Sequence, residues 1–213
     1  MNCCQCQGIE DLYNEKVVSR ELEQYRRRGP DKTTRMMTGA LKAEDIRGYS
    51  LLDIGGGIGA VQHILLDAGM SSAVDVDASQ AYITAARREA QRRGMAGRTR
   101  FFHGNFVDLA PSIEPADVVT LNRVICCYPD MEKMVDLSAA RAKRLYSLVY
   151  PRDTWWVRLA VTVINFFMWL KKSTFRTFVH PSRQVEAIIH RHGFTRRFYQ
   201  QTLVWQVVVY ARG

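Results

Sequence analysis

One carboxylate and four glycines carry the clearest chemical signal in this chain. Asp53, Gly55, Gly56, Gly57 and Gly59 follow a short apolar run (Leu51, Leu52, Ile54) and lead into a helical apolar pattern at Ile58, Val61, Ile64, Leu65 and Ala68. A strand, a tight turn and a helix in that order bring bare backbone against a ligand, because a Cβ at the turn would hold the ligand away. The helix N-terminus adds unpaired N–H groups and partial positive charge. A carboxylate such as Asp53 inside an apolar strand is costly to bury without a task. Two ligand patterns fit the turn. Gly55, Gly57 and Ala60 satisfy the dinucleotide spacing Gly-x-Gly-x-x-Gly/Ala, and Asp53, Gly55, Gly57 and Gly59 satisfy Asp-x-Gly-x-Gly-x-Gly. A glycine-rich turn that binds nothing is the plain alternative.

The remaining polar candidates stand where further strands should end. Asp77 closes a second apolar run at 73–77 and lies 18 residues beyond Gly59. An open α/β sheet places there the acid that takes a ribose hydroxyl pair, with Asp75 in its place if the register slips. Ala78 follows it. Asn105 and Phe106 follow a third run at 99–103, and Asn122 and Arg123 a fourth at 116–121. A helix is expected from the N-cap Ser79 to Arg92 or Arg93, ended by Gly94. A fifth strand at 145–150 ends at Pro151, and a helix at 182–192 turns Val185, Ile188 and Ile189 inward. Two closing runs, 194–200 and 203–210, are separated by two residues and read as a hairpin. Strands alternating with helices at this spacing make a doubly wound, mostly parallel seven-stranded α/β sheet, helices on both faces, with an antiparallel C-terminal pair.

At 213 residues the chain suits one large domain. Residues 1–47 read as a cysteine-rich tail followed by a helical lid, 48–213 as the ligand-binding body, with an apolar helical insertion at 154–172. Before the body, a pair of helices split near Gly29-Pro30 is expected, lying across the cleft or packing on the sheet, with Leu12, Val17, Val18, Leu22 and Tyr25 buried. Cys3, Cys4 and Cys6 are a weak metal candidate, since zinc wants four ligands at wider spacing; an unstructured, reactive tail is expected instead. Between Trp155 and Leu170 only Arg158, Thr162 and Asn165 break an apolar run, and Lys171-Lys172 follows. At roughly 24 Å as a helix it is too short for a hydrocarbon layer of ~30 Å. A core helix is the first reading, with Trp156, Leu159, Val163, Phe166 and Leu170 as its stripe. A wall for a flat hydrophobic ligand, or a peripheral membrane contact through 155–172, is the second.

Net charge is +9, with arginine clusters at 26–28, 87–88, 92–93 and 196–197. Such a field favours anionic ligands, nucleic acid or acidic membrane. Without an RNA-recognition or helix-turn-helix signature, nucleic acid ranks last. No basic-then-apolar leader opens the chain, and its five cysteines are an odd number, which fits reduced thiols and a cytoplasmic setting.

Asp-Ile-Gly-Gly-Gly-Ile-Gly at 53–59, Asp-Ala-Ser at 77–79, Gly-Asn-Phe at 104–106 and the strand leading to Asn122-Arg123 resemble the ordered motifs of class I S-adenosylmethionine (SAM) methyltransferases. The resemblance spans about residues 45 to 210 and implies a Rossmann-like fold, SAM as cofactor and S-adenosylhomocysteine as product. It implies that Gly55, Gly56, Gly57 and Gly59 contact the amino-acid and ribose part, that Asp53 orients the loop or the ammonium group, and that Asp77 with Ala78 holds the ribose. Asn105 and Phe106 would meet adenine; the family usually has Asp at the first of these, and Asn still accepts from the exocyclic amine. Asn122 would line the methyl-transfer channel. Within the superfamily, 122–130 and 150–153 resemble magnesium-protoporphyrin O-methyltransferases, which implies a small, apolar, anionic acceptor such as a tetrapyrrole carboxylate. Tyr25, Tyr128 and His180 are then candidates for orienting it, and Arg123, Arg152 and Arg158 for pairing with its carboxylates. Cys126 and Cys127 open one alternative, a thiophilic or metalloid acceptor, and a non-catalytic SAM- or nucleotide-binding module is a separate one.

Overall fold

The computed structural model describes residues 4–213, with side chains from Gln7 onward. The thiols of Cys3, Cys4 and Cys6 therefore lie outside the described residues. Seven strands form one sheet: β1 (Ser50–Ile54), β2 (Ser72–Asp77), β3 (Thr99–His103), β4 (Ala116–Asn122), β5 (Ala142–Pro151), β6 (Phe194–Gln201) and β7 (Trp205–Arg212), in the order β3-β2-β1-β4-β5-β7-β6. The first five run parallel, and β7 is antiparallel to both β5 and β6. Chain order reverses between β1 and β4, the point at which open α/β sheets receive their ligands.

Alternating residues send their side chains to two separate cores. Leu52, Ile54, Val119, Tyr146, Leu148 and Val208 face α7 (Met131–Ala140) and α9 (Ser182–Arg191). Leu51, Val118, Leu145, Val149 and Val207 face α3 (Lys32–Lys42) and α4 (Ala60–Asp67). Helix α5 (Gln80–Arg92) starts at Ser79, whose Oγ accepts from the Tyr82 amide, and the short α6 (Phe106–Leu109) starts at Asn105. The seven strands, their succession along the chain and the antiparallel closing pair agree with the pattern of the sequence.

Five local expectations need correction, the first being burial in the leading helices, where Val18 and Tyr25 are buried but Leu12 and Leu22 are half-buried and Val17 is exposed. The leading segment folds as three helices, not two. A helix, α1 (Cys4–Leu12), already occupies most of the expected tail, and Asn14 then caps α2 (Glu15–Arg28) by accepting from the Lys16 and Val17 amides at 3.2 and 3.3 Å. Asn14 interrupts an otherwise continuous helical pattern, because its short side chain competes for helix-terminal amides. In α4 the buried residues are Val61, Gln62, His63, Leu65 and Leu66, while Ile64 is only half-buried. The closing turn takes three residues, 202–204, locked by Trp205 N donating to Thr202 Oγ1 at 3.0 Å. Finally, α8 (Trp155–Leu170) is no core helix: Val157 alone is buried, and Leu159, Val163, Phe166 and Leu170 of the expected stripe face outward.

Candidate active site

The end of β1 turns back so tightly that Gly55, Gly57 and Gly59 all take positive φ, at 64°, 58° and 80°. Gly55 N donates to Val76 O at 2.7 Å, and Gly57 N donates to Asp77 Oδ2 at 3.0 Å, tying the turn to the end of β2. A Cβ on Gly56 would collide with Asp75 Oδ1 and Gln62 Nε2. Asp77 is fixed from its other side, where Oδ1 accepts from Ser79 N at 2.8 Å. Each carboxylate oxygen keeps a lone pair for a further donor.

Above this turn lies a cavity of about 590 Å³. Its floor is Asp53, Gly55, Gly56, Gly57, Asp77, Ala78, Asn105, Phe106 and Asn122. Ile9 of α1, Tyr13, Tyr25 of α2, and Asp31 and Thr34 at the start of α3 close one side; Arg123, Cys127, Tyr128, Phe175 and Trp205 close another. Thus the structure gathers most of the expected cofactor residues on one surface. Gly59 sits behind it as the N-cap of α4.

Electrostatics sort the three acids. Burial pushes Asp53 up to about 7 against the pull of its donors, Thr120 Oγ1 at 2.6 Å and Gln62 Nε2 at 3.2 Å. Asp75 sits opposite Asp53 across β1 and β2, and burial, then Asp77 and Asp53, raise it well above the carboxylate range. Asp75 does not line the cavity. Asp77, facing the cavity, is pushed up to about 6 by burial while the Ser79 and Gly57 amides hold it down. At about 6 it is mostly ionised at neutral pH.

The acceptor-side candidates separate. Asn122 Nδ2 donates to Thr34 Oγ1 at 2.9 Å, and its Oδ1 is buried on the cavity wall with no partner among the described residues. Asn105 caps α6 through Oδ1 to the Val107 amide and donates from Nδ2 to Tyr128 OH at 3.3 Å, so these two side chains are joined. Tyr25 lines the cavity, stacked on His63 with Arg93 over its ring. His180 does not: its Nε2 lies 2.8 and 3.0 Å from the Ile125 and Tyr128 carbonyls, so it holds the 125–128 segment from behind. Burial lowers its pKa, keeping the ring neutral. Arg158 is tied to Asp153 at 2.6 Å, and Arg152 Nη1 donates to the Thr202 and Leu203 carbonyls.

The wall residue Asp31 escapes sequence reasoning, whereas its partner Arg123 does not. Arg123 adopts a left-handed φ of 63°, a strained conformation for a long side chain, and donates to Asp31 Oδ2 at 2.6 Å beside the Trp205 ring. Burial opposes ionisation of Asp31, but Arg123, the Thr34 amide and the Thr33 and Thr34 hydroxyls together hold its carboxyl below the usual range. The signal that the sequence holds for Asp31 is the capping pattern Pro-Asp-x-Thr-Thr at 30–34, and its partner is 92 residues away.

Residues 51–144 match the family model described as the methyltransferase domain. The match lays a methyltransferase domain over the stretch from β1 to the start of β5, the glycine turn and Asp77 included. No curated protein matches the chain significantly. Its fold is similar to that of magnesium protoporphyrin IX methyltransferase from Synechocystis PCC 6803 crystallised with S-adenosylhomocysteine, with TM-score 0.74 and 17% identity over 96% of this chain and 98% of that one. An O-methyltransferase family protein from Burkholderia thailandensis follows, with TM-score 0.69 and 16% identity, covering 95% of this chain and 61% of that one. A putative RNA methyltransferase from Pyrococcus horikoshii is more distant, with TM-score 0.60 and 14% identity over 87% and 86%.

The residues present suit SAM, the cofactor that the sequence motifs imply. The glycine turn offers a surface free of Cβ atoms, Asp77 is an ionised acceptor, Phe106 is an apolar wall, and Asn122 Oδ1 is a buried acceptor in need of a donor such as an ammonium group.

Proposed function

We propose that this methyltransferase acts on a small-molecule acceptor that is apolar and anionic, with a tetrapyrrole carboxylate as the specific candidate. One observation carries the reading: a single cavity runs from Asp77 and the glycine turn to a wall of Tyr128, Arg123, Phe175 and Trp205. At about 590 Å³ it has the size of a site for one compact ligand, roughly 300–1,000 Å³. It holds the cofactor and the reacting arm of an acceptor, so the body of a large acceptor extends past the mouth.

Bound SAM supplies an electrophilic methyl group on a sulfonium. The chain supplies position and dryness. In this reading Asp77 accepts from the ribose hydroxyls, Phe106 and Asn105 bound the adenine site, and Asn122 Oδ1 accepts from the ammonium. Asp53, fixed by Thr120 and Gln62, holds the turn at its base. Tyr13, Tyr25, Tyr128 and Trp205 shield the reacting atoms from water, and Arg123, anchored on Asp31, offers a cation at that wall. A carboxylate acceptor is already ionised at pH 7, so no base is required. The side chains near Asn122 suit this: Tyr128 OH accepts from Asn105, and His180 is engaged with backbone carbonyls.

Transfer of tritiated methyl groups to porphyrin carboxylates, with arsenite as a separate addition, tests the proposal. Labelled methyl ester is the expected product; labelling of neither addition would contradict it. A second reading has one observation of its own. Cys126 Sγ and Cys127 Sγ lie 3.9 Å apart on the cavity wall, and the hydrogen bond from Cys126 lowers the Cys127 pKa despite burial. A dithiol suits a thiophilic acceptor such as trivalent arsenic. Cys126→Ser/Cys127→Ser separates the two: loss of turnover on arsenite alone supports the dithiol, and unchanged turnover and metalloid binding dismisses it. Calorimetry with SAM and NAD covers the module alternative, in which SAM binds but no methyl is transferred.

A further inference from the structure

Eight of the sixteen residues of α8 are large apolar side chains or tryptophan turned to solvent, from Ile164 at 45% exposed to Trp155 at 75%. Inward the helix offers only Trp156, Val157, Val161, Asn165 and Met168, so the outward face is not the margin of a core contact. We propose that this face docks on an anionic lipid bilayer and lies along its surface. The helix carries no acidic residue; Lys171 and Lys172 are exposed at its C-terminal end, and the neighbouring acid, Asp153, is neutralised by Arg158 at 2.6 Å. Tryptophans mark both ends, Trp155 and Trp169, and such rings favour the zone between headgroups and hydrocarbon. No described helix is long and apolar enough to cross a membrane, so α8 rests in the interface. Pairing with a second copy would bring together two chains of net charge +9, whereas anionic lipid attracts that charge.

The helix is also fastened to the cavity. Asn165 Nδ2 donates to Thr177 O at 2.8 Å and Thr177 N donates to Asn165 Oδ1 at 2.9 Å, and Thr177 with its neighbour Phe175 lines the cavity. Docking would thus set the cavity wall close to the lipid, where an apolar acceptor concentrates. That consequence rests on the proposed acceptor class; the docking itself does not.

The test is sedimentation of the full chain with vesicles of phosphatidylcholine alone or with phosphatidylglycerol added, without SAM, so that its failure leaves the methyl-transfer reading intact. The wild type is expected to partition onto the anionic vesicles with a blue shift of tryptophan emission. Phe166→Gln/Phe167→Gln should weaken partitioning on the order of 100-fold. Lys171→Gln/Lys172→Gln should weaken it roughly 10- to 30-fold on anionic vesicles, and serves alone should the first pair be insoluble. Absence of vesicle binding would overturn the proposal, including the case where the chain instead forms a dimer that Phe166→Gln/Phe167→Gln dissociates. Equal binding to both vesicle types would overturn the assignment of an anionic surface.

Discussion

Asp77 is asked to do two things at once, and its environment shows how. Its carboxylate is held by the Gly57 and Ser79 amides, which keep it rigid, yet burial leaves it only about one unit below neutrality at about 6. Ribose hydroxyls donate only to the ionised form in the proposed pose, so bound SAM would lower this pKa. The sign follows: affinity is flat above the folded-state value and falls as pH drops through 6, approaching tenfold per unit. Titration of SAM affinity from pH 7.5 to 5 checks this, and Asp77→Asn should flatten the component centred near 6. Gly56 gives a steric test. Gly56→Ala drives a methyl into Asp75 and Gln62, so an overpacking cost of about 1–3 kcal/mol is expected in denaturant unfolding. Asp75 is fully buried, so that clash falls on a side chain with little room to move.

Among the elements, the leading helices depend on one carboxylate. Glu89 of α5 is fully buried and accepts from Arg26 of α2 and from Arg92 and Arg93 of its own helix and cap. Hydrogen bonds from Arg92, then Arg26 and Arg93, hold its pKa far below the carboxylate range against the cost of burial. Glu89→Gln should cost about 1–3 kcal/mol of stability and raise hydrogen exchange in α2 before the sheet. Tyr82 OH, donating to Glu21 at 2.6 Å, marks a second tie between the same helices. The strands could be read from the chain because buried parallel strands are short apolar runs bounded by turns. Asp53, Asp77 and the glycines were legible for the same reason: a polar group at the end of such a run has few structural excuses. Asn14 was not, since one capping residue inside a charged helical pattern leaves the periodicity almost unchanged. Nor were Asp31 and Thr34, whose partners Arg123 and Asn122 are 92 and 88 residues distant. For α8 the composition fixed the helix but not its burial, which depends on what the rest of the fold leaves for it to cover.

Across the whole molecule, the parallel sheet converges at the gap between β1 and β4, and the leading helices, the 125–128 segment and the 173–180 strap close around that gap. A net charge of +9 adds a long-range pull on anions, screened beyond about 10 Å at moderate salt. Association with an anionic acceptor should therefore slow as ionic strength rises, with little change in the dissociation rate, in stopped-flow binding. The central claim is narrower: SAM lies over the glycine turn with its sugar held by Asp77. Calorimetric titration of wild type and Asp77→Ala with SAM tests it most directly. SAM should bind the wild type in preference to NAD, and the substitution should cost about 1.5–3 kcal/mol, some 10- to 150-fold in Kd, without loss of folding. Equal affinity in a folded Asp77→Ala protein, or preference for NAD, would contradict the account.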